Sequence, residues 1–282
     1  MMEKIKKLES ISKQVRRDLL RMIHANNSGH PGGSLGVTDL LVTLYFEIMR
    51  HDPKNFEMDG KGQDLFFLSN GHVSAAWYSV LARAGYFPVE ELCTFRSLNS
   101  RLQGHPTTAE NLPGIRVASG SLGQGLSVAC GAALAKKLNN DPTLVYCLCG
   151  DGEIEEGQIW EAALFAQARE IDNLITFIDY NGQQIDGNII DVMHLTGLKQ
   201  KWEAFNWIVL ECNGNDIGEL IETINSAKEK TGHGKPIMII MRTEMGMGVD
   251  FMMGTHKWHG IAPDNDQLKQ ALFHLEETLG DY

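Results

Sequence analysis

A Gly150-Asp151-Gly152 turn, and Asn181 thirty residues beyond its aspartate, each follow a short apolar run of strand-like composition. The first run, 143–149 (TLVYCLC), stops at Gly150; the second, 174–179 (LITFID), stops two residues before Asn181. The stretch between them, about 156–170, reads as a helix. A strand–helix–strand unit makes its two strands parallel and sets both carboxyl ends on one edge of a sheet. Open α/β sheets bind their ligands at that edge. Asp151 and Asn181 supply hard oxygen ligands suited to Mg²⁺ or Ca²⁺, and Mg²⁺ needs only one or two protein groups where phosphates complete its octahedron. Gly152 allows close approach of the backbone to a phosphate and lets N–H groups point at the anion. The pattern reads as a site for a diphosphate carried on a metal.

The remaining sequence fits a layered α/β domain. At 282 residues the chain can bury a large core as one domain with long loops. No apolar run approaches a bilayer span, and the charged start, MMEKIKKL, is unlike a secretory signal. A net charge of −11 argues against nucleic acid as a partner, because phosphate backbones need a basic face. Cys93, Cys130, Cys147, Cys149 and Cys212 are odd in number and form no CxxC pair, so reduced thiols in a cytoplasmic protein are expected. Cys147 and Cys149 share one strand face and read as core packing.

Helices and strands alternate along the chain without repeat or low-complexity tract. Residues 10–24 carry Ile11, Val15, Leu19 and Ile23 at helical spacing. Further helices are expected at 38–49, 72–84, 88–95, 122–138 and 217–230, and strands at 64–68, 207–211 and 236–241. Pro236 can open the last strand, where no ladder donor is needed. Asp264 caps a terminal helix expected to run to about Leu279.

Histidines recur in glycine-rich turns: His30 in SGHPGGS, His72 in SNGH, His105 in GHP, and His256 and His259 in GTHKWHG. Imidazole donates or accepts as needed, and loops at strand ends carry such groups to a ligand without disturbing the core. Taken singly, a surface histidine explains each; five together in tight turns suggest a shared site. Zinc is the rival reading, but no HExxH or Cys/His ligand spacing is present.

These strings carry a family resemblance. GDG followed about thirty residues later by Asn resembles the thiamine-diphosphate-binding motif. GDGEIEEG at 150–157 and IDYNGQQIDG at 178–187 are similar to transketolase, as are ANNSGHPG (25–32), LSNGH (68–72), GHP (104–106), SGSLGQG (119–125) and GTH (254–256), in the same order. The resemblance implies a three-layer thiamine-diphosphate-binding fold with a mainly parallel sheet flanked by helices. It implies that His72, Gly152 and His256 contact the diphosphate, and that Asp151, Asn181 and the carbonyl of Gln183 hold Mg²⁺, with Ca²⁺ or Mn²⁺ as substitutes. Gly120 and Leu122 would lie against the cofactor rings. His30, His105 and His256 would face the sugar, and Glu156 would sit near a dimer contact in a carboxylate network leading to the pyrimidine.

The implied reaction is transfer of a two-carbon ketol unit from a ketose phosphate to an aldose phosphate, as in the pentose phosphate pathway. The match spans only the first half of a full-length transketolase. Residues 1–282 are therefore expected to form a single diphosphate-binding domain with long amino-terminal loops and a carboxyl-terminal helix, the pyrimidine-binding and carboxyl-terminal domains being absent. The implied partner is a separate carboxyl-terminal subunit, in an α₂β₂ heterotetramer that is active only when both are present. Other readings are a fragment of a longer enzyme, a subunit of a deoxyxylulose-phosphate synthase or 2-oxo acid dehydrogenase E1, a transketolase for an unusual sugar, and a non-catalytic scaffold.

Overall fold

The computed structural model describes all residues from Met1 to Tyr282. Five strands form one parallel sheet: β1 (Leu65–Leu68), β2 (Val145–Gly150), β3 (Leu174–Tyr180), β6 (Ile208–Asn213) and β7 (Ile237–Arg242). Their spatial order is β1-β2-β3-β7-β6. Two-residue strands β4 (Gln183–Gln184) and β5 (Gly187–Asn188) make a small antiparallel hairpin directly after β3. The helices are α1 (Met2–Ala25), α2 (Pro31–Thr43), α3 (Ser74–Arg83), α4 (Gln124–Leu138), α5 (Gly157–Ala168), α6 (Ile189–Val192), α7 (Leu198–Ala204), α8 (Ile217–Glu229) and α9 (Asn265–His274).

Strand periodicity explains the layers. Successive side chains point to opposite faces, so Phe66, Leu68, Tyr146, Leu148, Ile175 and Phe177 enter one core with α1, α2, α3 and α8. Leu65, Phe67, Val145, Leu174 and Ile178 enter a second core with α4, α5 and α7. Cys147 and Cys149 lie together in that second core, as expected from their spacing. All five cysteines are free, and only Cys93 is exposed. Strands buried on both faces read as unbroken apolar runs, which is why β2, β3 and β7 stand out in the sequence.

Element boundaries differ from expectation in instructive places. Helix α1 begins at Met2, not residue 10, because its first turns are solvent-exposed and rest on Glu and Lys, good helix formers. Helix α2 begins at Pro31, seven residues before the expected 38. Pro is suited to a first turn, whereas Gly32 and Gly33 hide the helix from a propensity reading. A Cβ on Gly32 would stand 2.6 Å from Met245 Cγ and 2.9 Å from the Trp258 carbonyl, so close packing of the 245–258 loop requires the glycine. Residues 49–64 and 84–123 are long loops, the second broken only by short 3₁₀ turns. Residues 88–95 form a 3₁₀ turn (Val89–Thr94) instead of an α-helix.

Helix α9 carries the expected Asp264 cap, completed by Gln267 into a capping box. It ends at His274, five residues short of Leu279. The segment after it runs back along α1, where Asp281 pairs with Arg17 at 2.6 Å and Arg21 at 2.7 Å, and the Gly280 carbonyl accepts from Arg83. No helix is long and apolar enough to cross a membrane.

Candidate active site

The carboxyl ends of β1, β2, β3 and β7 open onto a cavity of about 300 Å³. Asp151 and Asn181, the residues expected at adjacent strand tips, both line it. Parallel pairing sets Gly150 opposite Asp179, which brings the two tips together. Asp151 is buried, with Oδ1 accepting from the Gly152 N–H at 2.9 Å and Oδ2 from the Gly182 N–H at 2.7 Å. Gly182 has φ +73°, a left-handed turn that suits glycine. Asn181 donates Nδ2 to Asp179 Oδ2 at 3.0 Å and accepts at Oδ1 from the Gln183 N–H at 2.9 Å. Gln183 lies on the wall, and its side-chain Oε1 is buried without a partner.

Asp179 is a site residue that the sequence pattern does not single out. It is fully enclosed, accepts from the Thr243 hydroxyl as well as Asn181, and so fixes how the Asn181 amide faces. The two buried carboxylates lie at neighbouring strand tips. Burial, then repulsion from Asp179, pushes Asp151 up to about 8; burial pushes Asp179 up to about 6. No Lys or Arg pairs with either among the ion pairs of the chain. No group of three or more His, Cys, Asp or Glu is arranged to hold a metal unaided. A site of one carboxylate, an amide oxygen and a carbonyl suits a cation that keeps part of its shell for phosphate oxygens.

Four histidines converge on the same cavity: His30, His72, His105 and His259. Ring centroids lie 5.1 Å apart for His30 and His72, 5.2 Å for His72 and His259, 5.6 Å for His30 and His259, and 6.2 Å for His30 and His105. Burial, then the neighbouring His259, Arg96 and His105, lowers His30 to about 4. Burial likewise lowers His72, His105 and His259, so all are neutral at physiological pH.

His256 does not line the cavity. It is half-buried on a short 3₁₀ turn (His256–Trp258), and His259 at the end of that turn faces inward in its place. Trp258 fixes the turn by donating Nε1 to the Phe251 carbonyl at 3.0 Å and packing edge-on against Phe251. The sequence shows two histidines three residues apart and not which one this anchor turns inward.

Gly120, Leu122 and Gly152 also line the cavity. A Cβ on Gly152 would meet Gln184 Oε1 at 2.8 Å, and one on Gly120 would lie 3.6 Å from His105. Glu156 precedes the first turn of α5 without a side-chain capping bond, is exposed and lies off the cavity wall; the nearby carboxylate that reaches the wall is Glu153. Gly33, Asn70, Gly150, Gln184, Ile185 and Met245 complete the lining. The residues fit a polar, anionic ligand held at one end by a cation. Residues of the lining carry buried atoms with no protein partner: both amide atoms of Asn70, Oε1 of Gln183, and Nδ1 of His30 and His259. Native structures seldom leave such groups unpaired without a ligand or water to meet them.

Residues 9–276 match the thiamine diphosphate binding domain of transketolase. The chain belongs to the transketolase family. It is 38% identical over 272 residues to one of the subunits of the apulose-4-phosphate transketolase of Actinobacillus succinogenes, covering 96% of each chain. It is 40% identical over 263 residues to the 6-deoxy-6-sulfo-D-fructose transketolase subunit SqwG of a Clostridium species, covering 93% of this chain and 94% of that one. Against human transketolase identity is 34%, over 96% of this chain but 42% of the human protein. The transketolase structure from Campylobacter jejuni superposes with a TM-score of 0.87 at 34% identity, covering 95% of this chain and 42% of that one. The expected α/β architecture of a parallel sheet flanked by helices is therefore that of the transketolase family. The chain spans about two-fifths of the length of these longer transketolases.

Proposed function

We propose that the chain is the amino-terminal, cofactor-holding subunit of a two-chain transketolase, moving a two-carbon ketol unit between sugar phosphates. The observation that carries this reading is the acidic pair at the tips of β2 and β3 sharing one cavity with neutral histidines. End-to-end similarity to proteins named as transketolase subunits, set against partial coverage of the longer transketolases, supports a separate partner subunit; the reading adds that this partner is carboxyl-terminal and the assembly α₂β₂ and cytoplasmic. A single diphosphate-binding domain over residues 1–282 goes with it.

Bound thiamine diphosphate supplies the electron sink for carbon–carbon bond cleavage. Asp151, Asn181 and the Gln183 carbonyl would hold Mg²⁺, with Ca²⁺ or Mn²⁺ able to replace it. His72 and the Gly152 N–H would donate to the diphosphate, and Gly120 and Leu122 would pack on the rings. His30, His105 and His259, neutral and with free ring nitrogens, would hold and pass protons at sugar hydroxyl and carbonyl oxygens. Here His259 takes the part expected of His256. Glu156, exposed beyond the cavity, is left to face the partner.

The test is reconstitution. Mixed with its partner, Mg²⁺ and thiamine diphosphate, the chain should transfer a ketol unit from a ketose phosphate, and neither component should do so by itself. Turnover of pyruvate in preference to a ketose would favour a deoxyxylulose-phosphate synthase or E1-type enzyme. Failure of the assembled pair to bind the cofactor would leave a scaffold. A branched or sulfonated sugar, as in the names of the relatives above, would be distinguished by comparing donors.

A further inference from the structure

Glu153 stands two residues after Asp151, yet it does not face solvent as the acidic run 153–156 suggests; it is 2% exposed. Its Oε1 accepts from the Ser69 hydroxyl at 2.5 Å and the Gly123 N–H at 2.8 Å, and its Oε2 accepts from the Gly150 N–H at 3.0 Å. These donors belong to three separate segments of the cavity wall. Ser69 follows β1 and precedes Asn70 and His72; Gly150 ends β2 and precedes Asp151; Gly123 adjoins Leu122 and opens α4. The segments are close enough that a Cβ on Gly125 would stand 2.5 Å from Ser69 Cα. Both amides can only donate, so the tie needs an acceptor at each end of the side chain.

We propose that Glu153 is a positioning residue that locks the β1, β2 and α4 segments into the geometry that receives the diphosphate and rings. This rests on the cofactor site proposed above. Glutamine is the telling replacement. It keeps the size of the side chain, but in either amide orientation it turns an NH₂ group towards an N–H that needs an acceptor. Charge alone makes the opposite forecast. A negative group on the wall of this cavity opposes an anionic ligand, so neutralising it should tighten binding if position does not matter.

The experiment is calorimetric titration of the assembled wild-type and Glu153→Gln proteins with thiamine diphosphate in Mg²⁺. Hydrogen exchange of peptides covering 119–125 and 148–152 is followed in parallel. Glu153→Gln is expected to weaken cofactor binding by roughly 10–100-fold, the usual cost of losing a supporting partner, and to speed exchange at Gly123 and Gly150. Ser69→Ala keeps both amide bonds and should weaken binding by much less. Binding by Glu153→Gln equal to or tighter than wild type, with unchanged exchange, overturns the proposal. If Glu153→Gln fails to fold, Glu153→Asp decides, since it keeps the charge but shortens the reach to the two amides: wild-type cofactor affinity with unaltered exchange at Gly123 and Gly150 would overturn the proposal. Absence of binding by the wild type would instead overturn the cofactor reading itself.

Discussion

The wall built from the tips of β2 and β3 and the wall built from the histidine loops face one cavity but differ in how they are satisfied. Asp151, Asp179 and Asn181 spend their hydrogen-bonding capacity on backbone amides, a hydroxyl and each other, and the two carboxylates ionise only against the cost of burial. His30 and His259 keep buried ring nitrogens unpaired and carry no charge. Burial drives both sets towards neutrality, raising the acids and lowering the imidazoles. The acid wall is prepared for a cation, which repays its burial directly. The histidine wall is prepared for neutral oxygens that arrive with a substrate. A shared cavity thus holds an anchoring half and a reacting half.

The sharpest way to break this division is Asp151→Ala. It removes the only carboxylate among the expected metal ligands and leaves the Gly152 and Gly182 amides without their acceptor. Metal-dependent binding of thiamine diphosphate should fall below detection by calorimetry while the chain still folds. Retained affinity would mean that the anchor lies elsewhere. His259→Ala tests the other half: activity should drop by about 10²–10³, as for loss of one preorganised donor, with a much smaller effect on metal binding. Asp179→Asn keeps the shape but loosens the constraint on Asn181, and should weaken metal affinity by roughly 10–100-fold.

How much of this is visible in the sequence follows from which forces a pattern can display. The strand tips are legible because buried strands make apolar runs, and a run that ends in GDG or in Tyr180-Asn181 marks the edge. Asp179 and Glu153 are not, because a carboxylate enclosed by hydrogen bonds has the same letter as one in solvent. Only its neighbours in space separate the buried Glu153 from the exposed Glu156. The start of α2 is hidden by Gly32, whose reason is a loop more than two hundred residues away in sequence. The β4–β5 hairpin is too short for any periodicity. The tail beyond His274 follows ion pairs with α1, which no local pattern encodes.

A smaller effect sharpens the contrast through pH. Asp151 titrates near 3.8 when unfolded and about 8 when folded without metal. Its contribution to stability is full below the lower value and is lost as pH rises through the higher one. His30 runs the other way: lowered from 6.5 to about 4, its contribution is present above 6.5 and is lost as pH falls towards 4. The two offset each other between about pH 4 and 6.5, so the metal-free chain should show an alkaline limb, losing stability as pH rises from about 6.5 through 8. Saturating Mg²⁺ with thiamine diphosphate should flatten the alkaline limb, since the cation neutralises the acid wall, and uncover the loss of stability towards acid pH that belongs to His30. Melting temperatures from about pH 3 to about pH 9, which spans both shifts, would expose the opposite pattern if the walls were assigned the wrong way round.

The smallest expected effect is also the most discriminating. His256 and His259 occupy one short turn, and their backbones are tied by the His259 N–H donating to the His256 carbonyl at 2.8 Å. A role for the turn as a whole would make alanine at either position equally harmful. The geometry instead separates them: the His259 ring packs against His30 and His72, while His256 stays off the wall. His256→Ala keeps the backbone bond and the Trp258 anchor, so activity and cofactor affinity should stay within roughly a factor of two of wild type, the range usual for a surface change. The same assay on His259→Ala should show the loss given above. If the two variants instead proved equally impaired, the inward position would belong to the turn's backbone rather than to one imidazole, and the histidine wall would shrink to His30, His72 and His105.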